Sequence, residues 1–418
     1  MKKKLLAALL ASALAVGMLP TSACAASDYT TANATLVTLT DSSATAKGKY
    51  TGYEIDGTDV SITAAGTYVF SGDCDNGSIT VKKGVTGVTI VLNGLTLTND
   101  DSAAITLNKT AEASLIAAAG TTNTVADTEG SNDENAAVKV KSGAALAIGG
   151  TGTLTVDGNA KNGIKGAADA VITVAEVKLN INAVNDGLSC DDELNITGGT
   201  LSITAGGDAV KASPDTGDTG NPDTTSLGNV TISGGTLTLT TGDDGVHADN
   251  DLVIGTKGAS STSTPRINIT ASYEGLEGTT VTVYSGDIDV AASDDGVNAA
   301  SSTLGERSDK YAISIAGGDL YIDAGSDGLD SNNDINITGG KVEVYGADAM
   351  MDAAIDYDGT FTLSGGTLFG AGMEPSAGTQ ALRSRAATMN TRSRCWPSTK
   401  PSRATTRQAG RSARMRRL

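Results

Sequence analysis

The stretch NDGLSCDDELNITGGTLSIT, from Asn185 to Thr204, decides how the chain folds. An acid followed by glycine opens it. A strand alternating as Leu194-Asn195-Ile196-Thr197, a Gly-Gly turn and a second alternating strand follow. Period-two alternation buries one side of each strand and leaves the other polar. Moving outward, the same order returns as GDAVKAS from Gly207, DDGVHADNDLVI from Asp243 and YEGLEGTTVTV from Tyr273. It returns again as DDGVNAA from Asp294, SDGLDSNNDINITGGKVEV from Ser326 and ADAMMDA from Ala347.

The spacing is regular. Gly187 to Ala209 is 22 residues, whereas Gly275 to Gly296 and Gly328 to Ala349 are each 21. Longer gaps hold polar insertions at Asp215–Gly228, Lys257–Pro265 and Ser301–Lys310. A fixed period with insertions at one phase means one coil per repeat, with loops leaving from one edge. A leucine-rich repeat has a similar period, but its helix-side pattern and asparagine ladder are missing. The predicted fold is all-β, a right-handed single-stranded parallel β-helix of 21–22-residue coils. Shorter alternating runs (Val60–Phe70, Ile79–Val81, Val88–Leu92, Leu95–Leu97, Ala104–Leu107, Leu146–Val156) carry the pattern toward the N-terminus. About a dozen coils ~4.8 Å apart would make a rod on the order of 55–60 Å long. The solenoid is expected over residues 60–373, after a leading strand segment at 27–59.

Composition agrees with this. Glycine numbers 52, proline 7, and aromatics are 3% of the chain, so a core must be stacked from Ile, Val, Leu, Ala and Thr. Lys2, Lys3 and Lys4 precede an apolar run from Leu5 to Leu19, and Ala23-Cys24-Ala25 offers a small-residue cleavage site. Residues 1–26 therefore read as a signal peptide, and the mature protein as extracellular. The alternative is a lipid anchor at the cell surface through Cys24. No later segment is long and apolar enough for a helical membrane span.

At the other end, residues 374–418 break the repeat. From Ala381 onward there are eleven Lys or Arg and no acid, with Arg383, Arg385, Arg392, Arg394, Arg416 and Arg417 among them. This reads as a disordered basic tail translated out of frame rather than a nucleic-acid arm. Without the tail and signal cations, 16 bases face 48 acids, a body charge near −32. Such a body argues against nucleic acid and anionic membranes as partners and for cations. Cys74 and Cys190, far apart in sequence, read as buried free thiols.

Aligning the coils puts Asp186, Asp208, Asp244, Glu274, Asp295, Asp327 and Asp348 at one position, with Asn162 one coil earlier. Unit charges at the ~4.8 Å coil spacing repel by roughly 1 kcal/mol even in bulk water. A carboxylate column therefore asks for cations between its members. Oxygen ligands without His or Cys partners favour calcium over a transition metal. Asp191, Asp249 and Asn332 supply a flanking column. Asp186 with Asp191, Asp244 with Asp249, and Asp327 with Asp330 and Asn332 are the best expected Ca2+ sites. A single Asp-Gly pair would signify only a turn; the matched columns carry the argument.

Between the columns runs a stripe of Lys165, Ser189, Lys211, His247, Glu277, Asn298, Asp330 and Met351. Lys211, and less readily Lys165, could serve as the base of a β-elimination from a uronic acid beside calcium. The plainer reading is a solvated face on which Lys and His offset surplus acid.

ITAAGTYVFSG (Ile62–Gly72), VTIVLNGLTLTNDDSAAI (Val88–Ile105) and the DGxxADxDLxI coils resemble calcium-binding β-helical carbohydrate-binding domains, a family similar in fold to pectate lyases. The resemblance spans roughly residues 45–373. It implies a right-handed β-helix, calcium in the acidic turns, and affinity for a polysaccharide, pectin-like or cellulosic, without established cleavage. Ala209 and Ala349 depart from it where the family has glycine, and the basic tail replaces its C-terminal part, leaving the last coil near Gly370 uncapped.

Three functions remain open at this point. One is a monomeric binding module with Lys211, His247, Tyr273, Tyr321 and Tyr345 as carbohydrate contacts; Tyr284 is a further aromatic of the repeats. The others are a calcium-dependent lyase, for which Arg266 and Arg307 would be the nearby cations, and an adhesin with structural calcium.

Overall fold

The computed structural model describes residues 29–130, 132–214, 227–259, 264–301, 309–347 and 353–372, together with the backbone of 388–391. The expected signal peptide, Cys24, Arg307, Met351 and Asp348 lie outside the described residues, as do large parts of the three insertions. Among the described residues every regular element is a strand, and no helix is long and apolar enough to cross a membrane.

Most strands pair in parallel with the strand three elements later, or two where one long strand rounds a corner, which winds the chain into a solenoid-like stack with three faces. The first face stacks Asn162–Gly166, Leu188–Cys190, Val210–Ala212 and the starts of Val246–Ile254 and Leu276–Val283. It continues through Val297–Ala299, Leu329–Ser331 and Ile355–Tyr357. The second face includes Val171–Val174, Glu193–Ile196 and Asn229–Ile232. The third includes Thr153–Gly158, Lys178–Ala183, Thr200–Ala205 and Thr236–Thr241, and ends on Asp319–Asp323, Lys341–Tyr345 and Thr367–Ala371.

Alternation builds the core directly. On the first face Ile164, Leu188, Val210, Val246, Leu276, Val297, Leu329 and Ile355 stack in one buried column. On the third face Leu179, Leu201, Leu237, Ile267, Ile288, Leu320, Val342 and Leu368 do the same. Each such side chain contributes about 1.5–3 kcal/mol by leaving water. Cys74 and Cys190 are buried free thiols. Cys190 stacks on Ala212 at a position filled by Ala248, Gly278, Ala299 and Ser331 in later coils. Burial pushes its thiol up to about 12.

Two features of the ends add to the sequence pattern. The leading segment begins with antiparallel hairpins, Thr35–Thr40 with Ser43–Gly48 and Tyr53–Asp56 with Asp59–Ile62. In the tail expected to be disordered, residues 388–391 form a strand in parallel register with Thr367–Ala371. A parallel stack presents unpaired backbone groups at its last strand, and a further strand satisfies them.

Candidate functional site

The acid column stands at the entry to each short strand of the first face, and its backbone is held coil to coil. Gly163 N–H donates to Asp186 O at 3.0 Å and Gly187 N–H to Asp208 O at 2.9 Å. Ala209 N–H reaches Asp244 O at 3.0 Å, while Gly245 N–H reaches Glu274 O, Gly275 N–H Asp295 O and Gly296 N–H Asp327 O, all at 2.9 Å. Asp186, Asp208, Asp244, Asp295 and Asp327 are buried, and Glu274 is half-buried.

The carboxylates have a use that spacing did not reveal. Asp186 N–H donates to Asn162 Oδ1 at 3.1 Å, and Asp208 N–H donates to Asp186 Oδ1 at 3.2 Å. Asp244 N–H donates to Asp208 Oδ1 at 2.9 Å, Glu274 N–H to Asp244 Oδ1 at 3.2 Å, and Asp327 N–H to Asp295 Oδ1 at 2.9 Å. One oxygen each of Asp186, Asp208, Asp244 and Asp295 thus accepts the backbone proton of the next coil, and charge-assisted bonds of this kind offset part of the repulsion along the column. Asp327 Oδ1 accepts from Ala353 N–H. The column position after Asp327 is therefore Ala353, in register with Leu329↔Ile355, five residues beyond the Asp348 that the spacing places there. Asp348, expected at that position, lies outside the described residues. Its motif ADAMMDA imitates the repeat, but Ile355 is the side chain that fills the buried column under Leu329.

The stripe between the columns grades from basic to acidic. Register sets Lys139 beside Lys165, then Ser189, Lys211, His247, Glu277, Asn298, Asp330 and Asp356. Asp356 stands where Met351 was expected, and Lys139 extends the stripe beyond the recognised repeats. Further up, Thr106 and Thr80 continue it into a polar recess of about 350 Å³ that Asp59, Asn76 and Asp101 also line.

In the basic half, acids are neutralised by the protein's own cations. Lys165 Nζ lies 2.6 Å from Asp191 Oδ1 and 3.2 Å from Ser189 Oγ. Lys211 Nζ pairs with Asp208 Oδ2. His247 is held on three sides, by Asp244 Oδ2 at 3.0 Å, Asp249 Oδ1 at 2.8 Å and Glu277. Burial would lower the imidazole pKa, but hydrogen bonds to Asp244, Asp249 and Glu277 outweigh it and push it up to about 12. Burial would likewise lower Lys211, yet Asp208, Asp186 and Asp243 hold its ammonium above the usual value. Of the expected calcium sites, Asp186 with Asp191 and Asp244 with Asp249 are thus the ones already served by Lys and His.

The acidic half differs. Glu274 reaches sideways, accepting from Asn298 Nδ2 at 3.0 Å on Oε1. Its Oε2 and the Asn298 Oδ1 are buried without a hydrogen-bond partner. Burial, then Glu277 and Asp244, push the Glu274 carboxyl up to about 9. Asp330 is pushed up to about 7 by burial and by Asp295, Asp327, Asp356 and Asp358. Asp244, Glu274 and Glu277 each bring one oxygen within 4.8 Å of the others, as do Asp208, Asp244 and His247 with one ligand atom apiece. Two orphaned oxygens among raised carboxyls are a donor set that suits a hard cation. Asn332, on the coil of Asp327 and Asp330, is half-buried.

The expected sugar contacts divide. Tyr273 is 49% exposed beside Glu274 in the acid column. Lys211 and His247 border the column but are engaged with carboxylates. Tyr321 and Tyr345 lie on the third face, where Phe369, which the repeat pattern did not single out, joins them. Arg266 begins a strand and pairs with Asp287.

Known proteins give these features a context. A family model described as carbohydrate-binding domain-containing protein matches residues 56–306, more than half of the chain. A carbohydrate-binding domain-containing protein of Acetivibrio thermocellus is 32% identical over 130 residues, which cover 29% of this chain and 45% of that protein. The match thus spans less than half the length of that relative. A solved structure described as the polysaccharide lyase-like protein from C. thermocellum, a gadolinium derivative, aligns at 24% identity with a TM-score of 0.47, covering 69% of this chain and 96% of that one. By the match over residues 56–306, the chain belongs to the family of carbohydrate-binding domain-containing proteins.

Proposed function

We propose that the chain is an exported, calcium-dependent polysaccharide-binding module, built as a right-handed single-stranded parallel β-helix, whose ligand is a polyuronate of the pectin type. The handedness follows the strong preference of parallel crossovers. The observation that carries the calcium reading is the pair of buried orphan oxygens, Glu274 Oε2 and Asn298 Oδ1, on a line of carboxyls raised by burial and by neighbouring acids. Glu274, Glu277, Asp295, Asn298, Asp327 and Asp330, spread over three coils, would hold cations between them. When bound, calcium supplies positive charge that protein carboxylates and sugar carboxylates can share, which reconciles an acidic module with an acidic glycan. The chain's own residues do the rest. The backbone ladder fixes the carboxylates at the coil spacing, and Tyr273 offers an exposed ring beside them.

Binding without cleavage is favoured because a general base must be able to give up its proton. Lys211 is held as an ammonium by Asp208, and Lys165 is tied to Asp191.

Calorimetric titration of the chelator-stripped protein with calcium tests the reading. Saturable uptake is expected, weakened about tenfold or more in Glu274→Gln with Asp330→Asn, a change of at least ~1.4 kcal/mol. Absence of uptake, or an unchanged double variant, would overturn it.

A further inference from the structure

The last three described coils carry something the earlier coils lack. On the outward side of the third face, earlier coils place Asn180, Ser202, Thr238, Asn268 and Asp289 in one column. In that column Tyr321 follows Asp289 and Phe369 follows Glu343, while Tyr345 stands diagonally between them, next to Asp323. The ring centroids of Tyr321 and Tyr345 are 5.4 Å apart and those of Tyr345 and Phe369 are 5.7 Å apart, tilted by 45° and 54°. All three are half-buried, with Leu320, Ile322, Val342, Val344 and Leu368 pointing into the core between them. The strip lies beyond residue 306, outside the part of the chain that the family model matches.

We infer that Tyr321, Tyr345 and Phe369 form a second glycan-binding strip, on a different face from the acid column, that takes a single chain of a neutral pyranose polymer. Aromatic faces bury the apolar C–H side of a sugar ring, and tyrosine adds a polar tip. The flanking charges choose the sugar. Asp289, Asp319, Asp323 and Glu343 surround the rings against one ammonium, Lys341, which lies 2.7 Å from Glu343. That surround repels a uronate. It suits sugar hydroxyls, because a carboxylate has about four acceptor positions and can accept from a hydroxyl beside an existing partner. Burial and the neighbouring Asp323, Tyr345 and Glu343 push the Tyr321 phenol up to about 12, so it remains a donor. The mutual tilt of the rings makes a ridged track rather than a plane, which fits a single dissolved chain better than a crystal face. The inference rests on the polysaccharide-binding reading in taking the ligand to be a glycan, and it needs no cation.

Native affinity electrophoresis of the full chain, with hydroxyethylcellulose or polygalacturonate in the gel, separates the two sites. The variant replaces all three rings by threonine, the residue that Thr238 places in the column of Tyr321 and Phe369 and a good strand former, so the strand is spared; Tyr345→Thr alone is the milder companion. The wild type should be slowed by hydroxyethylcellulose equally with calcium and with EDTA. The triple variant should lose about tenfold or more in affinity for it, Tyr345→Thr a smaller part. Both variants should still be slowed by polygalacturonate with calcium as the wild type is. A wild type that hydroxyethylcellulose does not slow, or a triple variant slowed as much as the wild type, would overturn the strip. So would a dimer on size exclusion that the triple variant loses, because the rings would then serve a second copy of the chain. Loss of calcium-dependent polygalacturonate binding in the wild type would instead strike the acid column and leave the strip standing.

Discussion

Asp186 accepts the Asp208 N–H on Oδ1, so its place in the column is held by geometry as well as charge. Asparagine keeps a carbonyl oxygen at that point, and alanine does not. Asp186→Ala should therefore cost about 1–3 kcal/mol, the penalty of orphaning a buried donor, while Asp186→Asn costs well under that; urea midpoints measure both, and equal losses would contradict the ladder. His247 illustrates the complementary case of a built-in cation. Removing it in His247→Ala leaves Asp244, Asp249 and Glu277 facing one another. A loss of about 3–5 kcal/mol is expected in EDTA, partly restored by calcium. A variant as stable as the wild type in EDTA would show that the imidazolium does not hold these acids together. The acidic half responds to pH with the opposite sign from a salt-bridged carboxylate. Asp330, raised to about 7, and Glu274, raised to about 9, bind protons more tightly folded than unfolded. Their favourable contribution is present at low pH and is lost as pH rises through those values. The melting temperature of the cation-free protein should thus fall between about pH 5 and about pH 8, and calcium should flatten the fall. A melting temperature that rises over that window in EDTA would contradict the assignment.

Each coil of the first face depends on small residues where one strand passes the next. A Cβ on Gly296 would meet Ile322 Cγ2 at 2.2 Å and Gly328 O at 2.6 Å. Gly296→Ala should destabilise by about 1–3 kcal/mol through overpacking, read from the denaturation midpoint; no loss would mean the coils stack more loosely than described. Alternation and the acid-Gly pairs made most of these strands legible in the sequence, because a period of two and a fixed coil length leave few other ways to bury Leu194, Ile196, Leu201 and Ile203. The last coil was not legible. ADAMMDA sets an acid before a small residue as the other repeats do, and only the stacking of Ile355 on Leu329 distinguishes the true register. The aromatic strip was half legible. Tyr321 and Tyr345 stand out as rings in a chain poor in them, but Phe369 joins them only through a diagonal contact that no linear spacing encodes. The ladder of carboxylates to backbone N–H groups was hidden too, since a turn-forming Asp and a bridging Asp read alike.

Across the whole molecule the first face runs from Lys139 and Lys165 at one end to Asp330 and Asp356 at the other, and this gradient divides the acids by how they are neutralised. Lys and His serve the earlier coils, and on the proposed reading the later ones take an external cation. On that reading a column of acids legible in the sequence reduces to a shorter set of cation ligands, which only side-chain geometry could separate. The central claim is that this set joins the protein to an acidic glycan without cutting it. Retention of the full chain on immobilised polygalacturonate, with calcium and then with EDTA, while the eluate is watched for unsaturated uronate products, tests it most directly. The account predicts retention with calcium, release by EDTA and no unsaturated product. Retention that EDTA leaves unchanged, or unsaturated product in the eluate, would contradict it.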